Sequence, residues 1–402
     1  MRLLFVSALY APEAIGGAEL TLERIVDGLI ARGHVAAVLT TGRLSADQTL
    51  PSGALVLRRR IANVFPLAPM RRYGAIARTV WQLLDCCNPF GYLQMRAAIR
   101  RFHPDVVITD SLRGVSVAAW PAATHEGVRI VHRICDAYLL SPSLNMLFAG
   151  PHSAKAMFRR LVRWPHRRLS RHVAAVVALS VAVLNLHRRA GLFEAVRTEV
   201  IPTAIAAEAR QAKVADGPIR LGFIGQLVPT KGIEALLEGF LAAGVDATLD
   251  IAGSGEPDYV ALLQRRFADP RIRFLGWLSN KAAFFAAIDL CLVPSRIFDT
   301  LPTVIIEAFA HHVPVLASPI GGIPEMVEPG RNGFLADLDS ASAIATSLRE
   351  VTADAAALRR MAASTAAASA RLLDPEGQLD RWEALLRDVV QVGGGGHARL
   401  AG

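Results

Sequence analysis

Two carboxylates, Asp299 and Glu307, are the residues of this chain best suited to chemistry on a polar ligand. Pro302 lies between them and predicts the start of a helix, because proline is tolerated in the first turn. The N–H groups and partial positive charge at a helix N-terminus favour a phosphate. Glu307, about one turn into that helix, is then placed to bind ribose hydroxyls, and Asp299 can reach hydroxyls beyond the phosphates. The pair predicts a sugar-nucleotide pocket, although by themselves two such acids fit ordinary surface charges equally well.

Glycine pairs and one lysine follow other predicted strands. Gly16 and Gly17 lie between the first apolar strand and an amphipathic helix, and Gly321 and Gly322 follow a later strand. Glycine allows a backbone to approach a ligand closely, and N–H groups at such a turn can point at a phosphate. Lys231 is one of only four lysines among 44 basic residues. Its compact charge on a flexible stem suits a diphosphate, although each of these segments alone also fits a plain turn.

Metal-binding and disulfide patterns are weak in this sequence. Asp337 and Asp339 form a possible Asp-x-Asp motif, but they lie in a polar loop away from the inferred pocket. The four cysteines, of which Cys86 and Cys87 are adjacent, have neither zinc-ligand spacing nor a disulfide framework. We therefore expect no metal and no cofactor, with a nucleotide-diphospho sugar as co-substrate, and a reducing, cytoplasmic location.

Short apolar runs alternate with longer helical patterns along the chain, which is typical of parallel α/β domains. We predict an N-terminal Rossmann-like domain over residues 1–200 and a C-terminal one over 201–377. A helix over 378–391 and a flexible Gly-rich tail over 392–402 should follow. The segment 66–90 is predicted to be irregular. Strands are expected at 3–7, 35–40, 105–109, 128–134, 173–179, 220–224, 247–252, 272–275, 290–294 and 314–317.

The net charge of +9 is unevenly distributed. Residues 1–200 carry 26 Lys and Arg against 12 Asp and Glu, whereas residues 201–402 carry 18 against 23. A basic face attracts polyanions, and near an anionic membrane each basic residue contributes about 1 kcal/mol. Docking on the inner face of the cytoplasmic membrane and a merely solvated face fit equally well. Nucleic acid is not expected as a partner, since the arginines are not interleaved with stacking aromatics. The arginines cluster at 58–60, 71–72, 96–101 and 159–171.

The order of these motifs resembles the retaining glycosyltransferases of family 4, which have the GT-B fold. The resemblance extends over residues 3 to 390. It implies an α/β architecture of two Rossmann-like, doubly wound parallel-sheet domains facing a cleft, with the terminal helix packed back on the first domain. It also implies a hexosyltransferase activity. The shared segments are Gly16-Gly17-Ala18-Glu19, Phe223 to Gly232, Gly253-Ser254-Gly255-Glu256, Leu275-Gly276-Trp277, Asp299 to Glu307, and Gly321-Gly322 with Glu325.

The resemblance further implies roles for individual residues. Glu307 should bind the donor ribose, and Asp299 should bind the hydroxyls of the donor sugar. Lys231 and the helix N-terminus at Leu301 to Thr303 should stabilise the leaving diphosphate, and Asp136 should orient the acceptor. Attack from the leaving-group face, with a phosphate oxygen as base, would retain the anomeric configuration. Donor contacts are also implied at Gly16, Gly17, Gln226, Gly253, Gly321 and Gly322.

Four positions depart from the family pattern. Asp299 replaces a Glu, and Gln226 replaces an Arg that many members have. Cys135 replaces the His that precedes Asp136, and Ser141 replaces the Cys that precedes Pro142. The changes at Gln226 and Cys135 favour one alternative, a non-catalytic GT-B subunit that binds a partner enzyme. Another alternative is a sugar-nucleotide epimerase of the same fold, which would convert its donor without an acceptor. The sequence leaves open the donor sugar, its uridine or guanosine base, and whether the acceptor is a glycan or lipid-linked, as in cell-envelope or exopolysaccharide synthesis.

Overall fold

The computed structural model describes residues 1–13, 16–61, 63, 73–140, 154–209 and 217–394 of the 402-residue chain. The chain divides into two compact units. The N-terminal unit comprises Met1–Ile201 and Glu376–Gly402, and the C-terminal unit comprises Pro202–Pro375. Each unit is built on a sheet of mainly parallel strands with intervening helices, so the predicted α/β class is confirmed.

An eight-stranded sheet forms the centre of the N-terminal unit, in the order β3-β4-β2-β1-β5-β6-β7-β8. All neighbours are parallel except β3 and β4. The first strand is buried from Leu3 to Ser7 on both of its faces, as expected for an inner strand of a parallel sheet. The strands are β1 (Arg2–Ser7), β2 (Val35–Gly42), β3 (Ala46–Thr49), β4 (Leu55–Arg60), β5 (Val106–Thr109), β6 (Arg129–Ile134), β7 (Ala175–Ala178) and β8 (Arg197–Val200).

Helices connect these strands, and their ends follow local capping chemistry. Asn88 accepts a hydrogen bond from the N–H of Phe90, and Ser180 accepts one from the N–H of Val183, so each residue caps the helix that it precedes. The helices described between β1 and β8 are α1 (Gly17–Ala31), α2 (Ala75–Asp85), α3 (Pro89–Phe102), α4 (Ala119–His125), α5 (Ala154–Leu169) and α6 (Val181–Arg189).

Two expectations for the N-terminal unit were wrong. The predicted strands omitted β3, β4 and β8, and β4 contains the arginine cluster 58–60. Arg58 is buried there and donates to the carbonyl oxygen of Ala11 at 2.8 Å, so it does not belong to a solvated basic face. The segment 66–90 was expected to be irregular, but its described part contains α2, which exposes Ile76 and Val80. Residues 66–72 of that segment lie outside the described residues.

The C-terminal unit has a six-stranded, fully parallel sheet in the order β11-β10-β9-β12-β13-β14. The order reverses between β9 and β12, because β10 and β11 lie on one side and β13 and β14 on the other. Loops leaving the carboxyl ends of two such strands diverge and leave room for a ligand. The strands are β9 (Ile219–Ile224), β10 (Ala247–Ala252), β11 (Ile272–Gly276), β12 (Leu290–Val293), β13 (Val315–Ala317) and β14 (Gly333–Leu335), and the last was not predicted.

Each helix described in the C-terminal unit buries apolar side chains. Leu236, Leu237 and Phe240 of the first helix join a core with Leu221 and Leu249 of the strands. The helices are α7 (Ile233–Ala243), α8 (Pro257–Arg266), α9 (Lys281–Ala287), α10 (Thr303–Ala310), α11 (Ala341–Thr352) and α12 (Ala355–Ala368), with single 3₁₀ turns at Pro229–Lys231 and Ile323–Glu325.

The last helix, α13 (Pro375–Gly394), belongs to the N-terminal unit. It is longer at both ends than the expected helix over 378–391 and includes the first residues of the expected tail, while residues 395–402 lie outside the described residues. Trp382 and Leu386 are buried in the same core as Leu3 of β1. Gly28 of α1 approaches so closely that a Cβ there would lie 2.6 Å from Leu379 Cδ1.

Polar contacts reinforce this packing of α13 on α1. Arg32, which follows α1, donates to Asp380 at 2.8 Å, and His34 Nε2 lies 2.6 Å from Glu383 Oε1. The Arg32–Asp380 pair has an exposed carboxylate and contributes little to stability, whereas the His34–Glu383 pair is largely buried. The buried apolar side chains of α13 therefore provide most of the attachment of this helix to the first unit.

We expect Leu386→Ala to destabilise the N-terminal unit by about 2–5 kcal/mol, because it removes a fully buried side chain and leaves a cavity. Urea unfolding followed by tryptophan fluorescence measures this, since Trp81, Trp120 and Trp382 are buried in this unit. Gln391→Ala, on an exposed position of the same helix, is the matched control and should change little. Equal effects of the two substitutions would contradict the proposed attachment.

Candidate active site

Lys231 and Asp299 meet where the strand order of the C-terminal sheet reverses. Lys231 follows β9 and Asp299 follows β12, and these strands are neighbours. The Lys231 Nζ atom lies 2.5 Å from Asp299 Oδ2, and the Ser295 hydroxyl donates to the same oxygen at 3.3 Å. Both charged side chains are partly exposed. Lys231, which was expected to bind the diphosphate, and Asp299, which was expected to bind the donor sugar, thus form an ion pair with each other in this structure.

The glycine pair 321–322 fixes the Asp299 loop. The Gly322 N–H donates to the Asp299 carbonyl oxygen at 2.9 Å. Gly321 has a φ of +65°, and a Cβ there would lie 2.1 Å from the same carbonyl oxygen. Only glycine fits such a backbone and such an approach. These glycines therefore position Asp299 through its backbone, a role that the sequence analysis did not assign to them.

Glu307 forms a second lysine–carboxylate pair. It lies one turn into α10, and both of its carboxylate oxygens accept from Lys281 Nζ, at 2.8 and 3.0 Å. Lys281 is the first residue of α9, whose preceding Asn280 caps the helix by accepting from the N–H of Ala282. Sequence reasoning missed Lys281, although the rarity of lysine in this Arg-rich chain was an available signal.

The N-terminus of α10 lies in the chain between these two acids. The helix begins at Thr303 after Pro302, one residue later than predicted, and Leu301 before it is buried. No acidic residue occupies the first turn. The N–H groups at a helix start lack acceptors within the helix and carry a partial positive charge. In the first turn of α10, no acidic side chain offsets that charge. This turn is chemically suited to an anion.

Gln226 and Gly253 lie at the ends of neighbouring strands. Gln226 is exposed two residues after β9. Gly253 follows β10, and its N–H donates to the Gly276 carbonyl oxygen of β11 at 2.7 Å. Its Cβ position lies only 1.8 Å from the Gly225 carbonyl oxygen. Gly253 therefore joins the ends of three strands, which is a structural reason for glycine at this position.

Gly16 and Gly17 begin α1 in the N-terminal unit, as predicted. The Gly16 N–H donates to Glu19 Oε2 at 2.9 Å, so this carboxylate caps the helix from within its first turn. The Gly16 amide, which was expected to point at a ligand, is therefore occupied by Glu19 in this structure.

Asp136 follows β6 and is held by two donors. The Ser111 hydroxyl donates to its Oδ2 at 2.8 Å, and the Tyr138 N–H donates to its Oδ1 at 2.9 Å. Burial raises the pKa of Asp136. The adjacent Cys135 is buried, and burial raises the pKa of its thiol well above the ordinary value, which disfavours the thiolate. Ser141 and Pro142, which follow this segment, lie outside the described residues.

A buried ion pair lies beside Asp136. Arg133 Nη1 lies 3.1 Å from Asp110 Oδ1, and both side chains are almost completely buried. Burial raises the pKa of Asp110 to about 6, against the opposing effect of Arg133. The carboxyl ends of β5 and β6 thus carry a cluster of buried polar groups around Asp136. Of this cluster, sequence reasoning found only Asp136.

Asp85 connects three segments around this set. Its oxygens accept from the Gly114 N–H at 3.0 and 3.1 Å and from the Tyr138 hydroxyl at 2.8 Å. It lies at the end of α2, Gly114 follows β5, and Tyr138 follows β6. Burial raises the pKa of Asp85 to about 7. This carboxyl group therefore holds the loops on either side of Asp136 and carries a proton over part of the physiological pH range.

No described group of three His, Cys, Asp or Glu side chains is arranged to hold a metal ion. In the possible Asp-x-Asp motif, the Asp339 N–H donates to Asp337 Oδ1 at 3.2 Å, which is a local turn contact. Among the described helices, none is both long and apolar enough to cross a membrane.

Two family descriptions match the chain. The Glycosyl transferase 4-like domain matches residues 16–204, and the Glycosyl transferases group 1 description matches residues 218–354. With the two parallel-sheet units and the site on the second, they define an enzyme, a glycosyltransferase of the GT-B type. The chain belongs to glycosyltransferase family 4, the group 1 glycosyl transferases.

Curated relatives cover most of the chain. A 42.6 kDa protein in the cps region of Klebsiella pneumoniae is 26% identical over 329 residues, which are 81% of this chain and 87% of the relative. The GDP-mannose-dependent alpha-mannosyltransferase of Mycolicibacterium smegmatis is 28% identical over 348 residues, 84% of this chain and 85% of that protein.

Solved structures share the fold over nearly the whole chain. Sucrose-phosphate synthase from Thermosynechococcus elongatus matches with a TM-score of 0.77 at 18% identity, covering 97% of this chain and 99% of that chain. HepE from Anabaena, solved in complex with UDP, matches with a TM-score of 0.73 at 20% identity, covering 96% and 100%. At these identities the likeness shows the GT-B fold.

We expect Gly321→Ala to lower the affinity for the nucleotide-diphospho sugar at least tenfold, because the added Cβ would displace the backbone of Asp299, the expected ligand of the donor sugar. Isothermal titration with UDP-sugars and GDP-sugars measures this. Gly330→Ala is the matched control: its φ is +78°, but no atom lies within 4 Å of the added Cβ. Both substitutions carry a backbone strain of about 1–2 kcal/mol. A similar loss of affinity in both variants would mean that Asp299 placement is not the cause.

We expect the free energy of unfolding to depend less on pH in Asp85→Asn than in the wild-type protein. The unfolded carboxyl has a pKa near 4, so between about pH 4 and 7 the folded state keeps a proton that the unfolded chain has released. Wild-type stability should therefore fall as pH rises through this range, by up to about 1.4 kcal/mol per pH unit from this group. Urea unfolding from pH 4.5 to 8, with the exposed Asp258→Asn as control, measures it. An unchanged slope in Asp85→Asn would contradict the assignment.

Proposed function

We propose that this glycosyltransferase moves a sugar from a nucleotide-diphospho sugar to its acceptor with retention of anomeric configuration. One observation carries the proposal: two lysine–carboxylate pairs, Lys231 with Asp299 and Lys281 with Glu307, flank the start of α10 in the chain. A sugar nucleotide presents hydroxyls at both ends and a diphosphate between them. The acids suit the hydroxyls, and the lysine and helix start suit the diphosphate.

Donor binding exchanges the partners in these pairs. Lys231 turns from Asp299 to the diphosphate, which releases the Asp299 carboxylate to accept hydrogen bonds from the donor sugar. Glu307 accepts from the ribose, and a hydrogen bond to a charged group is worth about 1.5–3 kcal/mol. Lys231 and the first-turn N–H groups of α10 then stabilise the negative charge that develops on the departing diphosphate.

The proposed reaction occurs on one face of the sugar. The bond between the anomeric carbon and the β-phosphate oxygen breaks, and the acceptor oxygen forms a bond to the same carbon. The acceptor proton passes to a phosphate oxygen of the leaving group. Asp136, in the N-terminal unit, orients the acceptor hydroxyl. The positive groups of the chain supply the stabilisation that a metal ion would otherwise give, so we propose that no metal is needed.

We further propose a cell-envelope or exopolysaccharide acceptor, which is a glycan or is lipid-linked. The relative from the cps region of Klebsiella pneumoniae supports this class of acceptor. The alpha-mannosyltransferase of Mycolicibacterium smegmatis supports the transfer of a sugar from a nucleotide-diphospho sugar. The proposed location is the cytoplasm, with the basic N-terminal unit bound peripherally to the anionic inner face of the cytoplasmic membrane. Uridine and guanosine donors are both compatible with the site.

We expect Glu307→Gln to weaken donor binding about 10- to 100-fold, since it removes the charge that accepts from the ribose. A panel of UDP, GDP, UDP-sugars and GDP-mannose, read by thermal shift and then by titration, first identifies the donor. Glu350→Gln, on an exposed position of α11, is the matched control. Near-normal donor affinity in Glu307→Gln would place the ribose elsewhere.

The anomeric configuration of the product tests the mechanism. With the donor identified, proton NMR of the first-formed product should show the same anomeric configuration as the donor, and activity should persist in EDTA. An inverted product would rule out attack on the leaving-group face. Conversion of the donor sugar without any acceptor would instead indicate an epimerase, and donor binding without turnover on any acceptor would indicate a non-catalytic subunit.

A further inference from the structure

The exposed face of α5 combines cationic and apolar side chains. Its buried residues, Val162 and His166, face the unit. Leu161 and Trp164 are 62% and 66% exposed, although both are large and apolar. Exposed apolar side chains among arginines on one helix face are typical of helices that lie in a membrane interface. The exposed residues along this face and just after it are Arg160, Leu161, Trp164, Arg167, Arg168 and Arg171.

Two adjacent cavities open beside this face. One has a volume of about 550 Å³ and lies between the end of α5 and the segment after α6, with Arg168 and Arg171 in its wall. The other has a volume of about 480 Å³ and includes Arg188 and Arg189 of α6. Trp164 and Arg167 line both cavities and therefore lie at their boundary. Each volume is of the size that holds a small polar ligand.

The walls of these cavities carry many more basic than acidic side chains. Seven arginines line the two cavities, and Glu194 is the one acid among the described lining residues. The ion pairs that the structure describes elsewhere in this unit, such as Arg96 with Glu126, do not include Arg160, Arg167, Arg168 or Arg171. Like charges held close together repel, so an anion that enters the cavities is stabilised by several cations at once.

The Arg167 side chain lies against the backbone of Gly191. A Cβ at Gly191, whose φ is +78°, would lie 2.5 Å from Arg167 Nε and 2.6 Å from its Cζ. The guanidinium therefore packs directly on the Gly191 backbone, at the boundary of the two cavities. A guanidinium group presents its donors in a planar fork, which matches two oxygens of a phosphate.

We propose that these arginines bind the phosphate groups of anionic phospholipids, while Leu161 and Trp164 enter the interfacial layer of the bilayer. The arginines alone would suit any phosphate. Only a lipid surface also offers an apolar environment to the exposed Leu161 and Trp164, so we take the bilayer as the occupant. Tryptophan is favoured at the level of lipid headgroups. This proposal rests on the proposed peripheral association with the membrane, for which it names the residues that contact lipid. None of these residues belongs to the donor site.

Vesicle binding of the full-length chain tests the site. The probes are vesicles of phosphatidylcholine alone or with 30% phosphatidylglycerol, in 50 and 300 mM NaCl. Arg167→Gln with Arg171→Gln removes two charges from the cavity walls, and Arg359→Gln with Arg360→Gln removes two from α12, in the C-terminal unit. Each basic residue near an anionic surface contributes about fivefold in affinity, so the first double variant should bind anionic vesicles roughly 10- to 30-fold more weakly. The α12 variant should stay within about twofold.

Tryptophan fluorescence gives an independent readout of the same site. Of the five tryptophans, Trp164 and Trp277 are the exposed ones. Anionic vesicles should shift the emission of the wild-type protein to shorter wavelength, and Trp164→Phe should abolish that shift. Trp277→Phe, in the C-terminal unit, is the matched control and should preserve it.

Several outcomes would overturn the site. They are equal vesicle binding by the two double variants, binding that is the same with and without phosphatidylglycerol, and a shift that depends on Trp277. Competition by millimolar glycerol phosphate or by an anionic polysaccharide would indicate a soluble anion instead of a bilayer. Titration of every variant with the nucleoside diphosphate separates this result from the donor site, because donor affinity should be unchanged in all of them.

Discussion

The Lys231–Asp299 ion pair is the interaction on which the candidate site depends. It joins the loops after β9 and β12 at the place where the strand order of the C-terminal sheet reverses. Without an opposite charge nearby, each partly buried side chain would lose hydration with little compensation. The pair thus keeps a cation and a carboxylate together at the carboxyl edge of the sheet.

Main-chain hydrogen bonds join the loops that carry Lys231 and Asp299. The Gly321–Gly322 segment after β13 binds the Asp299 carbonyl, and the Arg296 N–H donates to the Thr230 carbonyl oxygen beside Lys231 at 3.0 Å. Three loops from neighbouring strands are therefore joined through main-chain atoms. The side chains above them can change partners while the loops stay in place, which is the arrangement expected of a preorganised electrostatic site.

The sequence predicted the α/β class and most central strands, because inner strands of parallel sheets are continuous apolar runs. Edge strands such as β3 and β14 were missed, since β3 is fully exposed and β14 has only three residues. The motifs indicated which loops carry Asp299, Glu307 and Lys231, but no pattern shows which lysine faces which acid. Lys281 was missed for this reason, since its pairing with Glu307 depends on how α9 and α10 pack.

Arginine and lysine occupy different parts of this protein, and their chemistry differs in a way that matches these places. Arginine holds phosphate through a rigid fork of donors and keeps its charge everywhere, which suits a face that meets many phosphates, such as α5 with its arginines. Lysine has a single flexible ammonium and a small contact area, so it can leave one carboxylate for another anion with little rearrangement. Both lysines whose side-chain contacts are described, Lys231 and Lys281, bind the two acids of the candidate site. In a chain that otherwise uses arginine, lysine at these positions fits a requirement for exchangeable partners.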